Sequence, residues 1–153
     1  MIILVINCGS SSIKYQLLDM KNDDVYSLLA KGIVEKIGLE CGRLQHTPAG
    51  KEKVVKDLPV PDHTVGMQIV LDALIDKDHG VLKSFDDIEA VGHRIVQGAD
   101  FFSGSAIVDE DVIKKIDFCC DFAPLHNPAH LLGIRACQAV LPSVPQVVTF
   151  DTA

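Results

Sequence analysis

Tryptophan is missing from this chain of 153 residues, and aromatic side chains make up only 5% of it. That scarcity fits an aliphatic interior better than a platform on which nucleobases stack. No stretch of Lys or Arg is dense enough to track a nucleic-acid backbone, and the net charge of −7 works against one. Nucleic acid is therefore not an expected partner. The opening apolar run, Ile2–Ile6, falls far short of the roughly 20 residues that a membrane span needs. No basic segment precedes it, so neither a signal peptide nor a membrane partner is expected. Cysteine is sparse and unpatterned: Cys8, Cys41, Cys119, Cys120 and Cys137 are odd in number and contain no CxxC pair. A bond between the adjacent Cys119 and Cys120 would be strained. The set reads as reduced thiols in a cytoplasmic protein.

What is present is apolar and organised. Hydrophobic residues are 48% of the chain, and the length suits one domain with a sizeable core. The first sixty residues read as strands: Ile2–Ile6, Ile13–Leu18, Val25–Ile37, a stretch around Arg43–His46, and Lys51–Leu58. Turn signals at Asn22-Asp23-Asp24 and Gly38 separate them, and Pro59 and Pro61 end the series. From Asp62 the period changes, and Val65, Ile69, Leu71, Leu74 and Ile75 suit an amphipathic helix capped by Asp62 or Thr64. A strand over Ile88–Val96, a helix over Asp109–Phe118, a helix from Asn127-Pro128 to about Val140, and a last strand over Gln146–Phe150 follow. The expected fold class is α/β: a mixed β-sheet with an N-terminal β-meander, flanked by helices.

Chemistry concentrates where the strands end. The first strand stops in Asn7-Cys8-Gly9-Ser10-Ser11-Ser12-Ile13-Lys14. Glycine lets a backbone come close to a ligand, Ser10 and Ser12 bring hydroxyls, and Lys14 brings charge, which together suit phosphate. The GxxxxGK[ST] spacing of a Walker A loop is absent, and Ile13 starts a second strand instead of a helix. Further polar groups cluster at 93–98, 124–127 and 151, and in mixed α/β sheets ligands collect beyond strand ends. Asp151, one residue past the last strand, is placed like a catalytic or metal-handling acid. His126 and His130 are four apart, but no acid accompanies them as in HExxH, so a zinc site is not favoured.

Taken together, Val5-Ile6-Asn7-x-Gly9-Ser10-Ser11-Ser12-x-Lys14, Gly92-His93-Arg94-Ile95-Val96, Ala123-Pro124-Leu125-His126-Asn127-Pro128 and Phe150-Asp151-Thr152-Ala153 resemble the motifs of the acetate kinase family. That family is a branch of the superfamily that includes sugar kinases and the actin-like ATPases. The four motifs fall in order and cover essentially the whole chain. Where the family commonly has His-Gly-Gly after the arginine motif, this chain has Gln97-Gly98-Ala99. Family members are more than twice this long, so residues 1–153 are expected to be an N-terminal acetokinase domain, ribonuclease H-like (actin-like ATPase) in fold. The family's C-terminal domain is expected to be absent from the chain.

The resemblance implies a phosphotransferase with a carboxyl acceptor: reversible Mg²⁺-dependent transfer from ATP to acetate, giving acetyl phosphate and ADP, with Mn²⁺ as an alternative metal and a cytoplasmic homodimer as the assembly. Such chemistry rests on positioning and charge stabilisation more than on covalent help. By resemblance Asn7 binds or orients the hydrated metal, and Gly9, Ser10, Ser12 and Lys14 hold ATP phosphate. Arg94 takes the acetate carboxylate and the transferring group, for which its planar fork is suited. Val96 and Leu125 wall the methyl pocket, and His126 helps hold the transition state. Asp151 is the family's acid/base. A carboxylic acid titrates near pH 4, however, so acetate is already ionised at neutral pH and Asp151 is read mainly as orienting metal or water. A propionate kinase, or a non-catalytic interaction module, are the alternatives. Because sites in this superfamily lie between two domains, the isolated chain is expected to turn over little.

Overall fold

A computed structural model of the protein describes residues 1–21, 26–95, 105–107 and 127–150, and side chains over 1–21, 26–93 and 131–147. Two-residue alternation builds the sheet. In β2 (Ser12–Met20) Ile13, Tyr15 and Leu17 are buried while Lys14 and Gln16 between them are exposed. β4 (Gly42–Pro48) alternates buried with half-buried positions along its whole length. Period two is what puts successive side chains on opposite faces of a strand. β1 (Ile2–Gly9), β2, β3 (Tyr26–Glu35), β4 and β5 (Val54–Leu58) pair in sequence as an antiparallel meander.

The sheet then continues from the other side of β1. β6 (Ala90–Ile95) pairs parallel with β1, β8 (Gln146–Phe150) pairs parallel with β6, and the short β7 (Ser105–Ile107) closes the edge antiparallel to β8. The resulting order is β5-β4-β3-β2-β1-β6-β8-β7. Three adjacent parallel strands, β1, β6 and β8, thus end on one edge, which is where α/β sheets place their ligands.

Helix α1 (His63–Ile75) starts as the sequence predicts, with the Asp62 carboxylate accepting from the Val65 N–H at 2.9 Å. It ends at Asp76, whose side chain accepts from the Asp78 and His79 N–H groups at 2.8 and 3.0 Å. Helix α2 spans Asn127–Val140, matching the expected bounds, and packs on α1. Both helices cover one face of the sheet. Met67, Val70, Leu71 and Leu74 of α1 and Ala136 and Cys137 of α2 join Leu4, Ile6, Cys8, Ile13, Leu17 and Val34 in one core. Gly66 lets the first turn of α1 come close: a Cβ there would sit 3.0 Å from Ile13 Cδ1.

The strands differ from the sequence reading at their ends. β2 begins at Ser12 and reaches Met20, β3 stops at Glu35, β5 starts only at Val54, and β6 starts at Ala90 instead of Ile88. Lys36 takes a left-handed φ of 60° and turns the chain before Ile37 can extend β3. Two elements went unread: β7, and a single 3-10 turn over Phe85–Asp87, where Ser84 and Asp87 form a reciprocal capping box. The helix expected over 109–118 lies outside the described residues.

Polar groups on the covered face are satisfied. The His46 Nε2–H donates to the His79 carbonyl at 3.1 Å, which leaves Nδ1 to accept from the Tyr15 hydroxyl at 2.6 Å. Tyr15 reaches His46 by crossing β3 at Gly32, where a Cβ would sit 2.4 Å from the hydroxyl oxygen. His93 is likewise buried. Its ring bonds Gln146 Oε1, and Gln146 Nε2–H donates to the Ile134 carbonyl.

Candidate functional site

The end of the β1–β2 hairpin assembles five of the sequence-predicted site residues. Gly9 pairs with Ser12 across a turn made by Ser10 and Ser11, and two residues back Asn7 pairs directly with Lys14. A Cβ on Gly9 would stand 2.8 Å from Ser12 Oγ, so glycine is what admits the hydroxyl there. Asn7, Ser10 and Lys14 are exposed, while Gly9 and Ser12 are half-buried. Two of the turn's carbonyls are engaged from behind: Ser11 accepts from the Ile37 N–H at 2.9 Å, and Gly9 accepts from the His63 ring, also at 2.9 Å.

From Asn7 and Lys14 a groove of about 540 Å³ extends across the face of the sheet that α1 and α2 leave open. Register explains its lining. Asn7 pairs with Lys14, Lys14 with Ile33 and Ile33 with Gln45; beside that row run Val5, Gln16, Lys31 and Thr47. Lys53 reaches Gln45 Oε1 at 3.4 Å, and Gln45 Nε2–H donates to Glu35 Oε1 at 2.8 Å. The groove's described lining holds Lys14, Lys31 and Lys53 and no carboxylate. In a chain of net charge −7 that local excess of cations favours an anion.

Arg94 is described in backbone alone. It lies in β6 opposite Thr149 of β8, and strand alternation from Gly92, which pairs with Val5, returns position 94 to the open face. Gly9, Ile95 and Phe150 end the three parallel strands at the common edge. Val96, Leu125, His126 and Asp151 lie outside the described residues. The structure therefore brings Asn7, Gly9, Ser10, Ser12 and Lys14 together and sets position 94 on β6, the strand next to β1. His93, in contrast, belongs to the core face.

His63, Gln16, Lys31, Gln45, Thr47 and Lys53 were not read as site residues from sequence. For Gln16, Lys31, Gln45 and Thr47 alternation along β2–β4 was the only signal, and it does not say which face stays uncovered; Lys53 lies just before β5, and His63 follows a helix cap. The buried thiols of Cys8 and Cys137 are unreactive. Burial pushes the Cys8 thiol up to about 12 and the Cys137 thiol further still, and every described cysteine is free.

A meander running into parallel strands, with its first hairpin turned toward an open ligand edge, defines a ribonuclease H-like domain of the actin-like ATPase type. Residues 2–153 match the acetokinase family, and the chain belongs to it. It is 54% identical over 151 residues to a protein named acetate kinase from Treponema denticola, and 52% identical to one from Thermoanaerobacter pseudethanolicus. In both cases the match covers 99% of this chain and 37% of the relative. Among solved structures, Porphyromonas gingivalis acetate kinase superposes with a TM-score of 0.95 at 45% identity. A propionate kinase from Francisella tularensis superposes at 0.86 with 38% identity. Each covers 99% of this chain, which spans 37% of the solved chain.

Proposed function

We propose that this chain forms one wall of the active site of an acetate kinase, transferring phosphoryl reversibly between ATP and acetate. The observation that carries the reading is Asn7 standing directly opposite Lys14 beside the Gly9–Ser12 turn, at the mouth of a groove whose described lining holds lysines and no carboxylate, in a member of the acetokinase family. Ser10 and Ser12 donate to phosphate oxygens and Lys14 neutralises them. Arg94 takes the acceptor carboxylate bidentately, between walls formed by Val96 and Leu125. His126 supports the charge of the transferring group. Asn7 and Asp151 fit Mg²⁺, because the amide and carboxylate oxygens are the hard donors that this ion takes alongside water. Bound there, the metal supplies charge neutralisation and alignment of the phosphates.

The chain spans just over a third of its relatives' length, so the opposite wall of the cleft belongs to a part that this chain does not contain. Residues 1–153 by themselves are therefore expected to make little acetyl phosphate. The direct test is a chimera in which this chain replaces the matching N-terminal portion of the Porphyromonas gingivalis acetate kinase. Hydroxamate trapping with ATP, acetate and Mg²⁺ should show turnover by the chimera and a severe loss on Arg94→Ala. An active Arg94→Ala chimera, or robust turnover by residues 1–153 alone, refutes the proposal.

The likeness to a propionate kinase keeps a longer carboxylate open. Val96 favours acetate, since a smaller side chain would leave space for another methylene. Equal efficiency of the chimera on both acids would sink the acetate assignment. A cytoplasmic homodimer is proposed as the family's usual state.

A further inference from the structure

We infer that His63 is a positioning residue for the phosphate-binding turn, acting through the Gly9 carbonyl; the inference rests on the reading of Asn7–Lys14 as a phosphate site. His63 opens α1, directly after the Asp62 cap, and is 6% exposed. A carbonyl can only accept, so the Nε2 atom that meets the Gly9 oxygen at 2.9 Å carries the proton. This is a contact between residues 54 positions apart, and it ties the first turn of a helix to the last residue of β1.

The surroundings show that the contact is built in. Gly66, one helical turn beyond His63, brings α1 against Ile13, so the helix start rests on the base of the hairpin. The Ile37 N–H in turn holds the Ser11 carbonyl. The turn is thus held by two donors, and both bond carbonyl oxygens. An anion site needs the opposite polarity on its open side: N–H and hydroxyl donors free, and carbonyl lone pairs engaged elsewhere. A Gly9 carbonyl released from His63 would carry free lone pairs beside the turn, and these would oppose a phosphate bound there. The histidine therefore acts on the ligand without touching it.

The test uses the 153-residue chain and follows amide shifts of Gly9–Lys14 by NMR during titration with Mg·ATP. His63→Ala and His63→Asn, neither of which can reach the Gly9 oxygen, are expected to weaken binding by about tenfold, the loss of one buried hydrogen bond. His63→Gln, whose amide N–H can reach it, should return binding to within roughly threefold of wild type. If His63→Ala does not fold, the Asn and Gln pair makes the same comparison, each measured well below its own thermal midpoint. A helix-start residue with no role beyond stability would lower that midpoint but leave affinity alone.

Wild-type affinity in His63→Asn, or failure of His63→Gln to restore binding, overturns the inference while Lys14→Ala still abolishes the response. Absence of any shift along residues 7–14 in the wild type instead overturns the phosphate-site reading, and the role of His63 goes with it.

Discussion

The two faces of this sheet are made by the same strands and do opposite things. On the covered face, Leu4, Ile6, Ile13 and Leu17 meet α1 and α2, and the polar side chains Tyr15, His46, His93 and Gln146 are bonded to one another or to backbone. On the open face the intervening residues are Asn7, Lys14, Gln16, Lys31, Gln45 and Thr47, facing a groove. A one-residue alternation separates a surface that fixes the fold from one that offers itself to a ligand. The lesson is that residues adjacent in sequence, such as Ile13 and Lys14, answer to different constraints: packing for one, charge for the other.

That contrast can be broken from the covered side first. Leu71→Ala removes a fully buried α1 side chain and should cost about 2–5 kcal/mol, read as a lower denaturant midpoint with an unchanged slope. Tyr15→Phe leaves His46 Nδ1 without its donor, and a buried acceptor so orphaned costs about 1–3 kcal/mol in the same measurement. Equal stability of Tyr15→Phe and wild type would mean that the pair is not satisfied as described.

The pH dependence sharpens the same difference. Burial holds the His46 imidazole below the usual histidine range, with the His79 carbonyl bond only partly offsetting it. The unfolded chain therefore takes up a proton near pH 6.5 while the folded chain resists it. The stability that the neutral ring contributes is complete above that pH and is lost as pH falls below it. Thermal midpoints measured from pH 7.5 to 5 should decline, and His46→Gln should flatten the decline.

On the open face the expected effect on stability is smallest. Lys14→Ala removes an exposed side chain and should shift stability by no more than about 0.5 kcal/mol, while the Mg·ATP-induced shifts of residues 7–14 disappear. A large loss of stability in Lys14→Ala would show that the two faces are not separable.

Much of this was legible in the chain. The run Ile2–Ile6 is a strand as expected, though only Leu4 and Ile6 of it are buried; the proline after Asn127 marked the start of α2, and Asp62 capped α1 as its residue type suggests. Strand ends were read less well, because they depend on partners. β5 starts at Val54, where pairing with His46 begins, although alternation in sequence runs back to Lys51. β7 has three residues and exists only because β8 offers an edge. The site divided the same way: the Asn7–Lys14 motif was visible as a string of residue types, whereas His63 was one more polar residue beside a helix cap.

By itself the sequence determined local geometry and chemical content: which stretches are strands, where the helices start, and that a glycine, serines and a lysine follow the first strand. Those depend on backbone propensity, alternation and capping, which act over a few residues. Only the tertiary structure decided which sheet face the helices would cover, and so which lysines would line a groove and which histidine would hold the Gly9 carbonyl. Those contacts join residues tens of positions apart, and long-range packing alone brings them together.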